Sequence, residues 1–169
     1  MSQVTFLGNP VQVAGTLPAV GTKAPAFTLT DGKLDEKGLG DFAGKKKILN
    51  IFPSLDTSTC AQSVRSFNEK ASGHPDTVVL CISADLPFAQ SRFCGAEGLD
   101  RVVTLSSFRH PEFLTNYGVL LADSALAHLA ARAVIVLDEQ DQVRYVQLVP
   151  EIAHEPDYEC GSKESSPKT

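Results

Sequence analysis

Short apolar runs, Ile48–Phe52, Thr77–Ser83, Val102–Leu105, Ala133–Leu137 and Val143–Val149, recur through the chain with helical patterns between most of them, and this rhythm restricts the fold more than any other feature. Runs of this length, dense in Val, Ile and Leu, read as strands buried on both faces. Parallel strands in turn need crossovers long enough to hold a helix. An α/β layer fold follows. Helices are expected from about Cys60 to Ala71, from Pro87 to about Cys94 and from Pro111 to Tyr117. Pro87 and Pro111 suit a first turn, Asp85 is available as a cap for the second helix, and Gly118 is placed to stop the third. Asp138–Gln142 reads as a polar hairpin loop between the last two strands.

Ahead of this core, Val4–Ala14 reads as two short strands reversing around Gly8-Asn9-Pro10. Pro18 to Leu29, followed by Asp31-Gly32 and Gly38 to Gly40, predicts irregular chain. Lys45-Lys46-Lys47 reads as a solvated strand entry.

The chain has 169 residues, 43% of them apolar, enough for one core without staples or metals. Its net charge of −5 would repel a phosphate backbone, which argues against nucleic acid as a partner. No stretch offers eighteen consecutive apolar residues, and Met1 to Val20 lacks a basic start followed by an apolar run. The expectation is a soluble, cytoplasmic protein with no membrane contact: one domain over residues 1–160 and a polar, disordered tail over 161–169.

Four cysteines without close pairs do not resemble a secreted disulfide framework; catalytic, redox and buried roles stay open on composition alone. Cys60 is distinctive because the chain changes there from extended to helical, just after Pro53-Ser-Leu-Asp-Thr57-Ser-Thr59. A helix N-terminus presents unpaired N–H groups and the positive end of the macrodipole, both of which favour a thiolate over a thiol. Thr57 is placed to hydrogen-bond a group beside Cys60, and Pro53 to stiffen the loop. A small buried core thiol remains an equally good reading of these residues by themselves.

Pro53, Thr57 and Cys60 reproduce the Pro-x-x-x-Thr-x-x-Cys pattern of peroxiredoxins, and Ser83-Ala-Asp-Leu-Pro-Phe-Ala-Gln-Ser-Arg-Phe-Cys94-Gly-Ala-Glu-Gly98 resembles the resolving-cysteine segment of bacterial thiol peroxidases. Ala130-Ala-Arg132-Ala-Val134 is similar to their arginine-bearing strand, and the likeness runs from about Ser2 to Tyr158. The resemblance implies a thioredoxin-like fold, a central mixed sheet flanked by helices with an N-terminal β-hairpin. It also implies Cys60 as peroxidatic and Cys94 as resolving cysteine in an atypical two-cysteine peroxiredoxin. Hydrogen peroxide and alkyl hydroperoxides would be the substrates, thioredoxin the reductant and a homodimer the assembly, with no cofactor or metal. Arg132, which on the residues alone could equally pair with a surface carboxylate, would by this resemblance stand near Cys60 and stabilise negative charge there. Thirty-four positions separate Cys60 from Cys94 on different predicted helices, so their pairing is expected to need local unwinding.

Cys81, inside an apolar run, reads as an inert core thiol. Cys160, where the resemblance expects an amphipathic helix, reads as an exposed thiol. His74, His110, His128 and His154 lie too far apart for metal-site spacing. Leu55, Phe88 and Phe93 form either an apolar collar for organic hydroperoxides or ordinary helix packing. The rival function is a peroxide-sensing thiol switch on the same fold, which turnover with thioredoxin would distinguish.

Overall fold

The computed structural model describes residues 2–71, 75–99 and 101–156. The tail 161–169, Cys160 and His74 lie outside the described residues. In chain order the elements are β1 (Ser2–Phe6), β2 (Asn9–Ala14), β3 (Leu29–Asp31), β4 (Glu36–Lys37), a 3₁₀ turn at Leu39–Phe42, and β5 (Lys46–Ile51). There follow α1 (Ser58–Ala71), β6 (Thr77–Ser83), α2 (Pro87–Glu97), β7 (Val102–Ser106), α3 (Glu112–Asn116), β8 (Leu120–Leu121), β9 (Ala133–Leu137) and β10 (Val143–Leu148).

The expected apolar runs form the middle of a seven-stranded mixed sheet in the order β10-β9-β5-β6-β7-β3-β4. β5, β6 and β7 are parallel and joined through α1 and α2, whereas β9 runs antiparallel to β5 and β10 to β9. The side-chain period of two sorts β5 between two cores. Ile48 and Phe52 join Val64 and Phe67 of α1, with Phe93 of α2 packed alongside. Leu49 and Ile51 face the opposite layer, which contains Phe113, Leu114 and Tyr117 and the hairpin residues Val4, Val11 and Val13. This is the expected thioredoxin-like α/β architecture.

The N-terminal hairpin forms one residue pair earlier than expected. Leu7 and Gly8 are the turn, with φ of 52° and 84°, and Asn9 and Pro10 lie within β2. Positive φ at both central positions matches the right-handed twist of a two-residue hairpin. Pro10 is tolerated because it faces Thr5 at a position where β2 has no strand on its other side, β8 pairing only with Val13 and Ala14. The stretch read as irregular also contributes β3 and β4, which extend the sheet beyond β7.

Two further expectations are corrected. Lys47 is not solvated: its side chain is fully buried and its Nζ lies 2.5 Å from Asp141 in the β9–β10 loop and 3.2 Å from the Lys45 carbonyl oxygen. A central strand leaves no room for a solvated side chain, so burial there demands the partner. Asp85 does not cap α2, whose N-cap is Leu86 without a side-chain bond and whose first residue is Pro87. α2 also continues past Cys94 and Gly95 to Glu97 and stops at Gly98, with φ of 66°. Gly118 ends α3 as expected, at φ 68°; a Cβ there would lie 2.2 Å from the Thr16 carbonyl carbon, so only glycine lets the two chain segments approach.

Candidate active site

Cys60 is the third residue of α1 and is fully buried. Its sulfur is reached by Arg132, itself only 1% exposed, whose Nη2 donates to Cys60 Sγ at 3.1 Å. Arg132 precedes β9 and is oriented by its Nε, which donates to the Ile152 carbonyl at 2.8 Å. Its Nη1 is buried with no hydrogen-bond partner among the described residues. A buried guanidinium donor without an acceptor is costly unless something else supplies one. The reading of Arg132 as a strand-end cation on a surface carboxylate therefore fails.

The segment that holds Arg132 is itself tied down. Val149 N–H donates to the Arg132 carbonyl and Ile152 N–H to the Thr5 carbonyl, while Thr59 Oγ1 donates to the Ala153 carbonyl at 3.0 Å. Glu151 accepts from the backbone N–H groups of Ala153, Gly8 and Leu7 and from Thr5 Oγ1. The Ala153 and Gly8 amides foremost hold its carboxyl down to about 2.

Pro53 is buried directly after β5 and Phe52, and Thr57 is exposed. Thr57 Oγ1 donates to the Ser54 carbonyl at 3.0 Å, and the Thr57 carbonyl accepts from Ala61 N–H, opening α1. Thr57 thus acts on the first turn of the helix and makes no hydrogen bond to Cys60 Sγ. On the inner side, Ser63 Oγ donates to the Cys60 carbonyl at 2.8 Å, and Asn50 Nδ2 lies 3.3 Å from Ser63 Oγ and 3.7 Å from Cys81 Sγ. Burial pushes the Cys81 thiol up to about 12, against the opposing bond from Asn50, a direction that favours the thiol over the reactive thiolate.

Cys94 is half-buried one turn before the end of α2, and its carbonyl accepts the Gly98 and Leu99 N–H groups that close the helix. Burial raises its thiol above the usual value, with a Thr104 hydrogen bond working the other way. Cys60, Cys81 and Cys94 are all free thiols, so the geometry is that of the reduced protein. The suggested apolar collar does not form as a unit: Leu55 is buried in the Cys60 cluster and Phe93 packs against it, whereas Phe88 is 67% exposed.

Sequence reasoning missed several contributors. The Ile152 carbonyl that orients Arg132 has no signature, being a backbone group on a remote loop. Ser63, by contrast, stands three residues after Cys60, the spacing at which a helical hydroxyl reaches back to a carbonyl.

A profile of the Redoxin family matches residues 19–160. Thiol peroxidase of Mycobacterium tuberculosis is 54% identical over 160 residues, covering 95% of this chain and 96% of its own. The crystal structure of a peroxiredoxin-like protein from Aquifex aeolicus superposes with a TM-score of 0.92 at 38% identity, over 98% of this chain and 96% of that one. A thiol peroxidase structure from Chromobacterium violaceum, at 23% identity, shares the fold with a TM-score of 0.89 over 95% of this chain and 93% of its own. The chain belongs to the Redoxin family, among the peroxiredoxins of thioredoxin-like fold.

Proposed function

We propose that the protein is a thiol-dependent peroxidase that reduces hydrogen peroxide and alkyl hydroperoxides, with Cys60 as nucleophile, Cys94 as resolving cysteine and thioredoxin as reductant. The observation that carries the assignment is the buried Arg132, one nitrogen on Cys60 Sγ and another without a hydrogen-bond partner among the described residues. Negative charge on the sulfur, and then on the departing oxygen, is met by a donor already in place, and no reorganisation is needed at the moment of reaction.

In the first step Cys60 sulfur, as thiolate, attacks the terminal peroxide oxygen. The O–O bond breaks, the other oxygen leaves as water or alcohol after taking a proton, and Cys60 becomes a sulfenic acid. Cys94 sulfur then attacks Cys60 sulfur, the sulfenic hydroxyl leaves as water, and a disulfide forms. A thioredoxin dithiol reduces that disulfide by exchange. Pro53 and Thr57 shape the turn into α1. A disulfide requires Cα atoms within about 7 Å. Cys60 is fully buried in the first turn of one helix and Cys94 near the end of another, so the proposal includes unwinding at both places.

The similarity to thiol peroxidases over nearly the whole chain favours the enzyme over the sensing switch. Among the described residues no helix is long and apolar enough to cross a membrane. The proposal adds one domain over residues 1–160, a cytoplasmic setting that keeps the thiols reduced, and a homodimer, the last checked by light scattering. The central test adds one equivalent of an organic hydroperoxide to reduced protein, counts thiols and maps disulfides by peptide mass. Loss of two thiols with a Cys60–Cys94 link is expected; both remaining free, or a link to Cys160 instead, overturns the assignment.

A further inference from the structure

Asp85 precedes α2, the helix that carries Cys94, yet its carboxylate reaches away from that helix. Oδ1 accepts from Ser54 Oγ at 2.7 Å, and Oδ2 accepts from Leu55 N–H at 2.8 Å and Ser83 Oγ at 2.7 Å. Ser54 passes the restraint onward: its Oγ accepts from Asp56 N–H at 3.1 Å, and its carbonyl accepts both the N–H and the Oγ1–H of Thr57. The backbone at Asp85 is also fixed, its carbonyl accepting from Ser106 Oγ at 2.5 Å. Gln90 Nε2 anchors the start of α2 to Ser83 Oγ and the Leu105 carbonyl. The loop entering α1 and the base of α2 therefore meet on a single carboxylate, with an anchored sheet end beneath it.

We propose that Asp85 is a positioning residue: it clasps the Ser54–Leu55 loop to the base of the Cys94 helix and so holds the reduced geometry in which Cys60 reacts with peroxide. The inference rests on the reading of Cys60 and Cys94 as the reacting pair. Bonds from a carboxylate to two hydroxyls and a backbone amide are charge-assisted and stronger than neutral ones. They steady the loop during attack on peroxide and oppose the unwinding that lets Cys94 reach Cys60. Removing the clasp therefore has opposite effects on the two steps. Asparagine at this position keeps the size but offers one acceptor oxygen where three donors converge.

The test follows Asp85→Asn and wild-type protein through a single turnover with cumene hydroperoxide by rapid quench into an alkylating agent, resolving thiol, sulfenic acid and disulfide by mass. Expected is a roughly tenfold fall in the second-order rate of sulfenic acid formation with a rise of about threefold in the first-order rate of disulfide closure. Leu55 amide exchange should accelerate as well. A residue needed only for the fold would slow both steps, so two slowed rates, or both unchanged within twofold, overturn the proposal. Should Asp85→Asn not fold, Ser54→Ala, which keeps the bonds to Leu55 and Ser83, must show the same opposed pair of changes at smaller size. Wild-type protein lacking a Cys60–Cys94 disulfide on peptide mapping would defeat the underlying assignment, and the clasp with it; a normal wild-type disulfide with parallel changes in the variant defeats the clasp alone.

Discussion

Cys60 and Cys94 are the same residue in opposite surroundings. Cys60 lies in the first turn of α1, where the Arg132 guanidinium meets its sulfur, and Cys94 lies in the last turns of α2, where burial raises the thiol and a Thr104 hydrogen bond opposes it. The contrast fits the proposed division of labour, in which one sulfur attacks peroxide beside a guanidinium already in place and the other, raised by burial, closes the disulfide afterwards.

The largest effect that would break this contrast is at Cys60. Cys60→Ser removes the soft nucleophile, and peroxide consumption is expected to vanish in a thioredoxin-coupled assay; retained turnover would refute the assignment. Cys94→Ser separates the two roles. Continuous thioredoxin-linked turnover should be lost, while one equivalent of peroxide is still reduced at a rate within about twofold of wild type, as seen in a single-turnover peroxide assay, because no bond from Cys94 to Cys60 or Arg132 supports the first step. Arg132→Met, which keeps much of the bulk without the charge, should slow sulfenic acid formation by about 10²–10³, the usual cost of one buried donor to a reacting centre.

Smaller effects sharpen the comparison from the Cys94 side. Burial raises the Cys94 thiol above the ordinary value of about 8.5, so at neutral pH less of it is thiolate than in a free cysteine, and that fraction grows as pH rises. Disulfide closure should therefore accelerate by up to about tenfold per pH unit through the neutral range, measured by quenching between pH 6 and pH 9. A flat profile would show that unwinding, not thiol ionisation, limits closure. Thr104→Val removes a hydrogen bond that lowers the Cys94 thiol, and closure at neutral pH should slow about threefold, in keeping with the net worth of a single hydrogen bond.

The parts of this arrangement visible in the sequence are those set by local chemistry. Apolar runs declared β5, β6, β7, β9 and β10, and Pro87 and Gly118 marked real helix boundaries because each acts through its own backbone preference. Cys60 was placed correctly at a strand-to-helix change for the same reason. The failures share a long-range cause. Lys47 is buried because Asp141 waits 94 residues away, and Asp85 serves Ser54 and Leu55, about 30 residues back, in place of the helix next to it. β3 and β4, three and two residues long, are too short to show any period and exist only because β7 offers an edge. Leu7 at positive φ gave no turn signal, since leucine is not a residue that advertises one.

α1 is built like a cantilever. Its fixed end is Val64 and Phe67, both fully buried against the sheet, and Phe67→Ala alone would cost about 3–5 kcal/mol. Its other end is the turn containing Cys60, which shares that apolar cluster but is also held by discrete polar bonds, from Arg132 to the sulfur, from Ser63 to the Cys60 carbonyl and from Thr59 to the Ala153 carbonyl, that can be made and broken one at a time. Under the proposed cycle, a beam fixed in this way deflects at its tip on each turnover while Val64 and Phe67 keep its mounting in place.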